Sequence, residues 1–185
     1  MDPKIAIVVA VVVVVVVLAI VWMIARKRRT EALRQRFGPE YERTVREHGP
    51  GRAETVLSER EKRVDRFQIR ELAADERERF VTEWRLVQSR FVDDPKRAVR
   101  DADQLVNQLM QSRGYPMSDF EQRAADISVD HPRVVDNYRA AHVIALRHQK
   151  GEASTEDLRN AIIYYRSLFD DLLQTQTTSG TREVA

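Results

Sequence analysis

Residues 75–91, DERERFVTEWRLVQSRF, carry apolar side chains at Phe80, Trp84, Val87 and Phe91, in steps of four, three and four. Positions so spaced share one face of a helix, and the charges between them cover the rest. The next segment repeats the pattern. Asp94-Pro95 supplies a cap and a first-turn proline, and Ala98, Ala102, Leu105 and Leu109 form a second stripe that closes at Gly114. Tyr115-Pro116 breaks the helix, and Ser118 to Glu121 reads as a capping box ahead of a short helix bearing Phe120 and Ala124. A further helix is predicted from Pro132, with Val134, Tyr138, Ala141 and Ala145 before Gly151. The last follows Ser154 and carries Leu158, Ile162, Tyr165, Phe169 and Leu172. No run shows the period-two alternation of strands. The fold expected is all-α, with an antiparallel bundle of four to five helices over residues 69–173.

Towards the N-terminus the composition changes. Residues 5–25, IAIVVAVVVVVVVLAIVWMIA, contain no charge, and Arg26-Lys27-Arg28-Arg29 follow at once. Twenty-one helical residues span about 31 Å, the thickness of a bilayer's hydrocarbon core. The run is too long for the apolar segment of a signal peptide, and no small-residue cleavage step follows it. A transmembrane helix is therefore expected over 5–25, after a short tail of residues 1–4. Trp22 suits an interfacial anchor, and Arg26, Lys27, Arg28, Arg29, Arg34 and Arg36 suit the headgroup surface. Because these basic residues follow the span and only Lys4 precedes it, the N-terminus is expected outside and the C-terminal part in the cytoplasm.

Between span and bundle, residues 26–68 read as a basic juxtamembrane segment and helical stalk. Gly38 and Pro39 form an expected hinge, Pro39 opens a short helix through Glu47, and Gly49-Pro50-Gly51 ends it. In residues 52–67 only Ala53, Leu57, Val64 and Phe67 fall on one stripe, interrupted by Arg60, which predicts a solvated helix rather than a zipper. Residues 174–185, rich in Gln, Thr and Ser, are expected to be a disordered tail.

Charge and composition narrow the function classes. The chain has no cysteine, which excludes disulfides, thiolate nucleophiles and Cys-ligated zinc. Residues 1–70 hold 15 basic against 9 acidic side chains, whereas residues 71–185 hold 16 against 20. The excess of positive charge is thus membrane-proximal, which favours anionic lipid headgroups over nucleic acid. No Gly-rich phosphate loop, Gly-x-Ser-x-Gly elbow or His-Glu-x-x-His zinc signature occurs. The titratable residues Asp119, Glu121, Asp126, Asp130, His131 and His142 are close enough in sequence to build a site. Their simpler roles are capping, with Asp130 opening the Pro132 helix, and local hydrogen bonding by His142. Tyr115 lies in a loop where packing is less demanding. Tyr115, Asp126, Asp130 and His131 are accordingly the candidate contacts, with no catalytic, cofactor or metal residue assigned.

Several motifs carry a resemblance. Arg36-Phe37-Gly38-Pro39-Glu40-Tyr41-Glu42-Arg43-Thr44-Val45, Arg90-Phe91-Val92-Asp93-Asp94-Pro95, Arg113-Gly114-Tyr115-Pro116, the run from Asp119-Phe120-Glu121-Gln122-Arg123-Ala124-Ala125-Asp126 to His131, and Gly151 to Arg159 are similar to those of an uncharacterised family of bacterial proteins with a single N-terminal span. The resemblance covers residues 30–173 and implies a bacterial membrane protein, with no activity to carry over. The function expected is a membrane-anchored interaction or adaptor protein at the inner face of the cytoplasmic membrane, with a protein partner. The alternative is a bundle that binds a metal or small molecule and has an enzymatic role.

Overall fold

The computed structural model describes residues 3–174, with side chains described from residue 12 onward. Among these residues there are eight helices and no strand. They divide into two compact units, one ending at Leu57 and one starting at Ser58.

The first unit contains α1 (Pro3–Phe37), α2 (Pro39–His48) and the opening of α3 (Pro50–Val64). One residue, Gly38 at φ 49°, separates α1 from α2. This left-handed backbone suits glycine, and Pro39 at the first position of α2 gives up an N–H that has no intrahelical acceptor. The chain reverses there, and α2 packs along α1 with Leu33, Phe37, Tyr41 and Thr44 buried. The expected hinge residues are thus the apex of a helical hairpin.

Among the described residues no helix is long and apolar enough to cross a membrane. Positions 5–11 of the expected span lie outside the described side chains, and the 14 residues from Val12 to Ala25 run directly into Arg26. The bilayer-spanning part of the expectation is therefore not shown.

The second unit is a helical bundle of α4 (Ala74–Asp93), α5 (Pro95–Ser112), α6 (Phe120–Asp130), α7 (Val135–Gln149) and α8 (Thr155–Gln174). The stripes read from sequence are its core. Phe80, Trp84, Ala98, Ala102, Leu109, Tyr138, Ala141, Leu158, Tyr165, Phe169 and Leu172 are all buried in one cluster. Asp94 alone links α4 to α5, and its carboxylate accepts from the Arg97 N–H at 2.9 Å, so the two helices form a tight hairpin. Asn137 on α7 bonds Ser167 on α8, and Arg147 bonds Asp157, so α7 and α8 are also antiparallel. Between α5 and α8 the contacts climb together, Asp103 meeting Tyr165 and Arg113 meeting Leu172. These two central helices are parallel, each backed by its own antiparallel neighbour.

Four local expectations change. The cap of α6 is Asp119, not Ser118: its carboxylate accepts from the Gln122 N–H at 3.0 Å, because an aspartate one residue nearer the helix competes for the same donors. Pro132 lies in a turn and α7 begins at Val135, so Asp130 is the last residue of α6 rather than the cap of α7. The stripe Ala53, Leu57 and Val64 on α3 is buried rather than solvated. Of the expected disordered tail, residues 174–185, Gln174 is instead the last residue of α8, and residues 175–185 lie outside the described residues.

Candidate functional site

The C-terminal end of α6 brings three of the four candidate contacts together. Asp126 and Asp130 are one turn apart on α6, and His131 follows as its C-cap, with its N–H bonded to the Ile127 carbonyl at 2.8 Å. The two carboxylates serve different partners. Asp126, 2% exposed, accepts from Arg63 at 2.7 and 2.8 Å and from the Gln122 side-chain amide at 2.9 Å. A carboxylate that far from solvent requires such partners, because an unpaired buried charge is costly. Asp130 accepts from the Tyr115 hydroxyl at 2.9 Å.

Tyr115 is therefore not a loosely held loop residue. It is 3% exposed and meets the His131 ring edge-on, with centroids 6.2 Å apart. Burial, and then the negative charge of Asp130, push its hydroxyl well above the usual phenol range. The loop that carries it is fixed by Gly114 at φ 95°, where an added Cβ would lie 2.3 Å from the Gln68 carbonyl oxygen. The neighbouring Arg70 N–H donates to the Arg113 carbonyl at 2.9 Å. Only glycine fits both the left-handed backbone and the close approach of the 68–70 strand of chain.

His131 is buried, and its Nδ1 lies 2.5 Å from Asp171 on α8. That contact fixes the orientation of the ring. Nε2 is buried with no hydrogen-bond partner. Arg113, also buried, donates to the Leu172 carbonyl at 2.5 Å, and desolvation lowers its pKa. The arrangement ties the ends of α5, α6 and α8 through polar pairs, each with one buried and one more exposed or backbone partner. What it offers chemically is one imidazole held in a fixed orientation with a buried, unpartnered Nε2. Among the described residues no group of three His, Asp or Glu side chains is placed to hold a metal ion.

The other residues singled out in the sequence lie apart. Asp119 caps α6, and Glu121 is exposed. His142 stacks flat on Phe120, with centroids 3.5 Å apart and planes 8° apart, and its burial lowers the imidazole pKa. A second set of polar contacts engages two buried tyrosines: Tyr165 donates to Asp103 at 2.8 Å, and Arg123 donates to the Tyr138 hydroxyl at 3.0 Å. Between α4 and α5 an open cleft of about 230 Å³ is lined by Glu83, Leu86, Val87, Arg90, Asp101 and Leu105.

Sequence reasoning missed Arg63, Arg113 and Asp171. Each is a charged residue in a charge-rich helix or loop, and periodicity marks only apolar positions. The one available signal was Arg113 beside Gly114-Tyr115, a charge at a helix end where the chain must turn.

In the first unit, Trp22 is exposed and the Arg26 guanidinium lies 5.5 Å from its ring centroid. Arg26, Lys27, Arg28 and Arg29 are all exposed, while Arg34 bonds Glu42 on α2 at 2.9 Å. No protein-family model, curated protein or solved structure matches this chain.

Proposed function

We propose that the chain is a helical interaction protein anchored in a bacterial cytoplasmic membrane, with residues 5–25 as its anchor and its C-terminal bundle on the cytoplasmic side. The observation that carries the reading is the surface of α1. From Val12 to Ile24 the large apolar side chains are 48–64% exposed on every side of the helix. A helix that is apolar all round belongs in a protein core or in lipid, and the uncharged run of residues 5–25 is long enough for the second. Basic residues immediately after the run favour the inner face, and anionic headgroups are the natural contacts of Arg26, Lys27, Arg28 and Arg29, whereas Arg34 is paired with Glu42 on α2. Trp22 sits at the headgroup boundary in this reading.

The bundle then supplies a surface for a protein partner, and its polar pairs hold that surface in one shape. A second reading, a bundle that binds a small molecule or one metal ion, rests on the partnerless Nε2 of His131.

Topology tests the first reading. An alkaline phosphatase fused after Ala185 should be inactive and a fluorescent protein there bright. Neutralising Arg26, Lys27, Arg28 and Arg29 together should give mixed orientations. An active phosphatase on the native chain would overturn the cytoplasmic placement. Metal analysis and native mass spectrometry of the purified chain distinguish the second reading, which requires a retained ligand that His131→Ala removes.

A further inference from the structure

The helical hairpin of the first unit returns the chain to the level of the basic cluster that follows the apolar run. Arg34 on α1 bonds Glu42 on α2, eight residues later, with the Gly38 reversal midway between them. Position 42 is therefore level with position 34. At about 1.5 Å per residue, Arg46 is then level with Thr30, and His48 with Arg28. The link to α3 confirms this register. Thr30 donates to Glu54 at 2.6 Å, so the first turn of α3, with Arg52 in it, also begins beside the Arg26–Thr30 segment.

Arg46, His48 and Arg52 are exposed, as are Arg26, Lys27, Arg28 and Arg29. The acidic side chains at this level are engaged: Glu31 lies 4.0 Å from Lys27, Glu47 accepts from Arg43 at 2.9 Å, and Glu54 accepts from Thr30. Three helix segments thus present basic groups at one height, directly beyond an apolar helix. We infer that Arg46, His48 and Arg52, on the turn between α2 and α3, form with Arg26–Arg29 a single rim that seats the hairpin on an anionic phospholipid surface. The inference rests on the anchored reading above. It adds a contact that the apolar run cannot provide, because the turn is more than 20 residues further along the chain than Ala25. A lipid surface, rather than a nucleic acid, is the occupant chosen by continuity: the rim borders the exposed apolar surface of Val12–Ile24.

The absence of cysteine makes the test direct. Gly51 has open space around its Cα, so Gly51→Cys accepts a fluorophore on the turn, and Gln35→Cys, exposed and about 10 Å further along α1, serves as the control. Full-length protein is reconstituted in vesicles of neutral or 30% anionic phospholipid carrying a headgroup nitroxide, and quenching is read for each label. Quenching at position 51 should be stronger in anionic vesicles, fall as salt rises, and exceed that at position 35. Each basic residue near such a surface is worth about fivefold, so R46Q/R52Q should weaken docking about 30-fold at unchanged helicity by circular dichroism. Equal quenching in both lipids overturns the rim, and so does preferential capture of duplex DNA by the native chain. Retention through an alkaline wash separates the two readings: a retained chain without charge-dependent quenching sinks the rim alone, and a chain that washes off with such quenching intact sinks the anchor alone.

Discussion

Gly114 is the residue at which the fewest alternatives fit. Its φ of 95° disfavours any L side chain by about 1–2 kcal/mol, and a Cβ 2.3 Å from the Gln68 oxygen forces the backbone apart at a further cost of about 1–3 kcal/mol. Gly114→Ala should therefore destabilise the bundle by about 2–5 kcal/mol in urea unfolding; a loss under about 0.5 kcal/mol would mean that the 68–70 segment is free to move. Trp84 is a different case, 4% exposed and stacked on Phe169 with centroids 4.6 Å apart. Trp84→Ala should cost about 3–5 kcal/mol, while Trp84→Phe should recover much of it, since the Trp84 Nε1 has no partner to lose. Arg63→Ala leaves the buried Asp126 with Gln122 as its remaining partner, and about 1–3 kcal/mol should be lost; Asp126→Asn in the same background should restore part of it by removing the stranded charge.

Among the elements, the ones legible from sequence were those with an apolar stripe and a punctuated end. The α4 and α5 boundaries follow from Phe80, Trp84 and Val87 and from Asp94-Pro95, and α8 follows from Ser154 and its stripe. At the start of α8, the Ser154 N–H donates to Asp157 at 2.8 Å and the Asp157 N–H donates back to the Ser154 hydroxyl at 3.1 Å. This reciprocal cap predicts a loss of about 0.5–2 kcal/mol for Ser154→Ala. The α6 to α7 region was less legible because its turns are built from charged residues whose partners are remote in sequence. Asp130 looks like a cap beside Pro132, and only the position of Tyr115, 15 residues earlier, makes it an acceptor instead. Asp126, Asp130 and His131 are neighbours in the sequence, but nothing there places Tyr115 against Asp130 and His131, and Arg113 and Asp171, from the ends of α5 and α8, leave no local pattern. On α3, two apolar residues per heptad were too few to reveal that Ala53, Leu57 and Val64 are buried.

Taken whole, the molecule titrates unfavourably in both directions. Glu76, held by Arg70 and the Ala73 N–H, has its carboxyl lowered to about 2, and hydrogen bonds from Ser154 lower Asp157. Burial lowers His142 as well. For all three the folded form binds its proton less readily than the unfolded chain, so their contribution is complete above the unfolded values and declines as pH falls: below about 6.5 for the histidine and below about 4.5 for the carboxylates. Tyr115 and Tyr165 are raised by burial, so their contribution is complete below about pH 10 and declines above it. Thermal midpoints followed by circular dichroism should form a plateau between about pH 7 and pH 10, and phenolate absorbance should rise together with unfolding. A smooth titration of these tyrosines in the folded protein would contradict their burial. The parallel pairing of α5 with α8 sets a different constraint, on the order of events during folding. The hairpins α4–α5 and α7–α8 join sequence neighbours and close rapidly, whereas α5 meets α8 only across some 60 intervening residues, at Asp103 with Tyr165 and Arg113 with Leu172. Until α8 has been synthesised, the part of α5's core face that α4 leaves open has nothing to close it. The nascent bundle is therefore sticky until α8 has emerged, and the finished helix is what ends that exposure.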